Sequence, residues 1–192
     1  MVRKVIISAD PGKENFSVAI QVIDNEIPAI EYVQLLPFRI TELKENANPP
    51  FLEQLEKFIG FFNYILKTYY PVECTMERFQ VRFRTGGAVA EVVNIMLGIC
   101  CVLCHQQQIP MKLVVASEWK NHYNRVSEIS LEDTYKCVKK LPPHIIDSAF
   151  IGLYYSMNNK AFYTKENIIS YCQKLKEVYD RFNSNECKRK SV

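Results

Sequence analysis

The sequence predicts an α/β fold, and three observations carry that prediction. Strand-like runs at residues 2–8, 16–23 and 30–36 open the chain, close enough together to form an antiparallel meander. Beyond them, strand-like and helical patterns alternate, as parallel crossover connections require. The chain of 192 residues is 48% hydrophobic, ample for the core of one domain, and no linker, repeat or low-complexity stretch divides it.

The first run is apolar, with β-branched Val5-Ile6-Ile7, and leads into Asp10-Pro11-Gly12, a tight-turn signal. A second run follows from Phe16, then a third. Phe51, Leu52, Leu55, Phe58, Ile59, Phe62 and Leu66 recur near helical spacing and predict a helix over 50–69. After the turn signal Pro71, residues 72–76 read as a short strand with Glu77 at its carboxyl end. A helix is expected over 87–107. Its apolar stretch, 95–103, exceeds a single stripe and predicts burial on more than one side. Residues 112–115 read as another strand. Pro142-Pro143-His144 opens an apolar helix running to about residue 157, and a last helix covers about 165–182 before the basic Lys188-Arg189-Lys190.

Composition narrows the class. Seven cysteines, mostly in apolar surroundings, suit reduced thiols better than a disulfide scaffold. Cys100, Cys101, Cys104 and His105 lack a second ligand pair at zinc-finger spacing, so core packing is expected there. The longest apolar run, 95–104, is too short to span a bilayer, and no signal peptide is evident. A cytoplasmic or other intracellular, DNA-containing compartment is expected, with no membrane partner and no secretion.

Three acids stand out. Asp10 ends an apolar strand beside a turn, without a basic neighbour in sequence, and an unpaired buried charge costs several kcal/mol unless a cation relieves it. Glu77 ends a second strand. Asp147 lies in the first turns of the helix from 142, three residues after His144, so both project from one helical face. Together these groups form an oxygen-rich set with one imidazole, suited to Mg2+ or Mn2+ rather than zinc. Each has a simpler alternative. Asp10 can cap its turn, Glu77 can pair with Arg78 or Arg82, and Asp147 or His144 can serve the helix start.

The net charge of +3 does not by itself point to nucleic acid. The distribution says more, since Arg78, Arg82 and Arg84 interleave with Phe79 and Phe83, a mixture able to pair phosphates and stack on bases. The alternative is a solvated loop whose rings return to the core. Lys136, Lys139 and Lys140 read as ordinary solvated helix surface.

The strand into Asp10-Pro11-Gly12 with Asn15, the strand ending Met76-Glu77-Arg78, Val114-Val115-Ala116-Ser117-Glu118-Trp119-Lys120, and His144 with Asp147-Ser148-Ala149 resemble, in order and spacing, the blocks of the RuvC Holliday junction resolvases. The resemblance spans about residues 3–158. It implies a ribonuclease H-like fold, a five-stranded mixed sheet flanked by helices, with residues 1–160 as nuclease domain. Residues 161–192 then add a C-terminal helical extension and basic tail. It implies cleavage of four-way junctions by a homodimer whose interface uses the helix from 87, with two metal ions per site. Asp10 would be shared by both ions, Glu77 and Asp147 would complete the ligands, and His144 would assist the water or the second ion. Lys120 would lie near the scissile phosphate. Two departures leave sequence preference open: the glycine usual near Ser17 is absent, and residues 121–133 replace a glycine-rich, lysine-bearing stretch. Two other classes remain in view, a catalytically silent branched-DNA-binding module on the same fold and a nucleotide-binding protein of the actin and sugar-kinase type.

Overall fold

In a computed structural model of the chain, the structure describes residues 4–12, 15–24, 27–37, 51–78, 87–156 and 160–189. The opening runs pair as the expected meander: β1 (Lys4–Pro11), β2 (Asn15–Asp24) and β3 (Ile27–Pro37) are antiparallel neighbours. On its other side β1 pairs in parallel with β4 (Glu73–Arg78), and β4 pairs in parallel with β5 (Met111–Val115). The mixed sheet therefore has the order β3-β2-β1-β4-β5. β1 extends past the expected end near residue 8, because its ladder with β2 continues to Pro11 opposite Phe16. Asp10 thus lies inside the strand.

Among the described residues the helices are α1 (Phe51–Tyr69), α2 (Gly87–Gln106), α3 (Ala116–Val126), α4 (Leu131–Cys137), α5 (Pro143–Ser156) and α6 (Lys165–Arg189), with a 3-10 turn at Lys160–Tyr163. The expectations from sequence assign no element to α3. Its buried face consists of Trp119 and Tyr123, four residues apart, which is too little apolar pattern to read as a helix. α4 starts at Ser130, whose side chain accepts from the Asp133 backbone amide, a local cap that stops the chain fraying at a seven-residue helix.

Strand alternation sends neighbouring side chains to two separate cores. Ile7, Ala9, Phe16, Val18, Ile20, Cys74 and Met76 meet Phe58, Phe62 and Ile65 of α1 and Val93, Met96 and Cys100 of α2 on one face. Each such fully buried aliphatic or aromatic side chain contributes on the order of 1.5–3 kcal/mol. Cys74, Cys100 and Cys104 are core residues, and with Cys101, Cys137 and Cys172 they are free thiols. α2 is covered from two directions, by the sheet and by α1. Gly98, Cys101 and Val102 lie on its remaining side and are exposed.

The other face carries α5, whose residues 145–153 are all buried, with α6 beside it on β3 and α3 and α4 completing the same core. Its seat is polar as well as apolar. Ser17 and Ser148 share a hydrogen bond of 2.8 Å, and the Gln21 amide donates to the Ala149 carbonyl at 2.6 Å. Gly152 makes the close approach possible, since a β-carbon there would stand 2.2 Å from Gln21 Nε2. α6 extends the same core through Tyr171, Cys172, Leu175 and Val178. Among the described residues, no helix is long and apolar enough to cross a membrane.

Candidate active site

The parallel register of β1 and β4 assembles the first part of the site. Ala9 stands opposite Met76, so the next residue on each strand, Asp10 and Glu77, projects from the same edge on the α5 face. α5 then lowers Asp147 and His144 over that edge, held in place by the Ser17–Ser148 bond next to Asp147. Lys120 arrives from the first turns of α3, which begins directly after β5. Five residues from four elements therefore converge: Asp10, Glu77, Lys120, and His144 with Asp147 from α5.

Their side chains are spent on one another. His144 Nδ1 lies 2.5 Å from Asp10 Oδ2, giving Asp10 the basic partner its own strand lacks. Lys120 Nζ donates to Asp147 Oδ2 at 3.0 Å and rests 4.9 Å from the centre of the Trp119 ring. The Trp119 indole N–H donates to Glu77 Oε2 at 2.9 Å, and the Tyr135 hydroxyl donates to Asp147 Oδ1. The capping role open to Asp10 and the pairing of Glu77 with Arg78 are not what the structure shows. Gly12 matters too: a β-carbon there would lie 2.8 Å from the Asn15 carbonyl oxygen and 2.9 Å from His144 Cε1, so a bare backbone leaves room for both the turn and the ring.

The electrostatics record crowding. Burial, and next the charge of Asp10, push the Glu77 carboxyl up to about 7, with the Trp119 hydrogen bond offsetting part of the rise. Burial also raises Asp147, against the pull of Lys120 and Tyr135. The hydrogen bond that His144 makes to the Asp10 carboxylate raises the imidazole above its ordinary value, against the effect of burial. Burial raises the Tyr135 phenol, so it remains a neutral donor. Clustered carboxylates that resist ionisation are what a bound divalent cation would relieve, and the hard oxygen donors of Asp10, Glu77 and Asp147 fit Mg2+ or Mn2+. As the side chains stand, no three His, Cys, Asp or Glu groups among the described residues are arranged to hold a metal ion, the Cys100–His105 neighbourhood included.

The proposed DNA-contacting residues divide differently. Alternation turns Arg78 away from Glu77, to the opposite face of the sheet, where it is exposed. Phe79, Arg82, Phe83 and Arg84 lie outside the described residues. Lys136 pairs with Glu132 and Asp133 of its own helix, as expected of solvated surface. Three residues that touch the site, Gly12, Trp119 and Tyr135, were given no role there by the sequence. Trp119 adjoins Lys120, and as the single tryptophan it was the one with a readable signal.

No family model matches the chain, and no curated protein matches it in sequence. Solved structures do. Thermus thermophilus RuvC aligns with a TM-score of 0.61 at 15% identity, covering 79% of this chain and 93% of RuvC. The chain has the RuvC-like resolvase fold. T. thermophilus RuvC in complex with a Holliday junction substrate aligns equally well, over 79% of this chain and 92% of that one. The yeast mitochondrial Holliday junction resolvase Ydc2 aligns over 97% of this chain and 84% of its own, with a TM-score of 0.54 at 15% identity. The RuvC-like fold is α/β and ribonuclease H-like, and here it carries α6 as an additional C-terminal helix.

Proposed function

We propose that this chain is a metal-dependent, structure-selective endonuclease that cleaves branched DNA, with the four-way Holliday junction as its principal substrate. One observation carries the reading: on a RuvC-like fold, Asp10 and Glu77 leave adjoining parallel strands on the same face, beneath Asp147, with Lys120 3.0 Å from that third acid. Asp10, Glu77 and Asp147 would hold two Mg2+ or Mn2+ ions, Asp10 shared between them. Divalent ions held there would supply an activated water and charge stabilisation for the leaving 3′ oxygen. Lys120, free to leave Asp147, pairs with the scissile phosphate, and His144 orients the attacking water from its anchor on Asp10. Trp119 keeps Glu77 in place. The products carry 5′-phosphate and 3′-hydroxyl ends. Paired cuts across a junction call for a two-fold dimer, and the exposed small and apolar side of α2 (Gly98, Cys101, Val102) is the surface proposed for it. The site of action would be an intracellular, DNA-containing compartment.

A second reading, a catalytically silent branched-DNA-binding module, is favoured by the occupation of all three acids by Trp119, Tyr135, Lys120 and His144. Cleavage of labelled four-way, forked, duplex and single-stranded DNA with Mg2+ or Mn2+ separates the two. Cutting is expected on the four-way substrate. Asp10→Asn, Glu77→Gln and Asp147→Asn should each lower it by orders of magnitude while junction binding persists. Binding without any cutting by the unmodified chain selects the silent module, and an acid whose amide variant cuts at the full rate is not a ligand.

A further inference from the structure

Asp147 is a buried carboxylate whose two oxygens are held by two different donors. Lys120 of α3 donates to Oδ2 at 3.0 Å, and the Tyr135 hydroxyl of α4 donates to Oδ1. The two donors respond oppositely to an arriving cation. A divalent ion repels the ammonium of Lys120, whereas a phenol carries no charge and keeps its hydrogen bond. We propose that Tyr135 is a positioning residue that fixes the plane of the Asp147 carboxylate by holding Oδ1, leaving Oδ2 as the oxygen that faces a divalent cation. The inference rests on the reading of Asp147 as a metal ligand given above.

α4 is built to present that hydroxyl. Thr134, the residue before Tyr135, is fully buried, bonded to the Ser130 carbonyl at 2.9 Å and to the Tyr123 hydroxyl at 2.7 Å. The Leu131 amide donates to Asn124 Oδ1 at 3.0 Å, and Leu131 and Val138 are buried at the two ends of the helix. Seven residues with this many ties to α3 are fixed without help from Asp147. The ring of Tyr135 itself packs against the α5 core. Its hydroxyl is thus placed by the helix and its packing, so it can orient the carboxylate rather than follow it.

Calorimetric titration of metal-free protein with Mn2+ tests this without any reference to turnover. Tyr135→Phe keeps the ring and removes the donor. Loss of a residue that orients a metal ligand typically weakens metal binding by about 10–100-fold, and at least the lower figure is expected here. In an Asp147→Asn background the same substitution should change Mn2+ affinity no further, because the partner it orients is gone. An unchanged affinity in Tyr135→Phe overturns the proposal, as does an equal loss in both backgrounds, which marks general damage. A chain that takes up no Mn2+ even with both residues intact overturns the nuclease reading instead.

Discussion

Replacing Gly152 by alanine tests the docking of α5 that brings Asp147 to the sheet. The added methyl would stand 2.2 Å from Gln21 Nε2, 2.6 Å from Ser8 Oγ and 2.8 Å from Gln21 Cδ, all well inside van der Waals contact. Gln21 is fully buried and bonded to the Ala149 carbonyl, so its amide has no solvent to swing into. Two relaxations remain. Either the Gln21 bond breaks and leaves a buried amide unpaired, at about 1–3 kcal/mol, or α5 lifts, at about 1–3 kcal/mol for an overfilled core. Alanine regains at most about 1 kcal/mol as the better helix former. A net loss of about 1–2 kcal/mol lowers the melting temperature of a chain this size by roughly 2–8 °C. Circular dichroism melting measures it, with Gly60→Ala as control, because no atom lies within 4 Å of a β-carbon there and that variant should hold or gain stability. Asp147 sits on the same helix, so cleavage of branched DNA should fall by about a decade or more alongside the melting temperature. A Gly152→Ala chain that melts at or above the unmodified temperature refutes the close-packing argument.

Glu77 ionises near pH 7 rather than 4.5, so between those values the metal-free folded chain keeps a proton that the unfolded chain releases, and stability falls as pH rises. The raised His144 acts in the same sense, its contribution being full below about pH 6.5 and lost as pH passes its folded value. Calorimetry in a chelator should therefore show melting temperature declining from pH 4.5 to 7 and a shallower decline in Glu77→Gln; a flat profile in the unmodified chain removes the charge crowding. Gly12→Ala should push the His144 ring off Asp10 and slow cleavage by about a decade with junction binding unchanged; a full rate means the ring's placement is dispensable. Arg82→Ala and Arg84→Ala should each flatten the salt dependence of junction binding by about 1 in slope, measured by fluorescence anisotropy. Unchanged slopes would assign those arginines to the protein's own surface.

The strands, the long helices and the three acids were legible in the residues alone, because each rests on local chemistry. Val5-Ile6-Ile7 can be read as a strand wherever it lies, and an aspartate at the end of such a run is conspicuous without knowing its neighbours. The β1–β4 register was not legible there, since nothing within either strand says that Ala9 will face Met76 and so place Asp10 beside Glu77. Tertiary structure also decided who holds the acids. The bonds from Tyr135 to Asp147 and from Trp119 to Glu77 join residues 12 and 42 apart in the chain, and a tyrosine or tryptophan in a weakly patterned stretch looks like core until its partner is known. Gly152 is the clearest case: in sequence it is a poor helix former inside a helix, and only the Gln21 amide standing where a β-carbon would go explains it. Local propensity is written in neighbouring residues, whereas register, docking and partner choice depend on distant segments closing on one another.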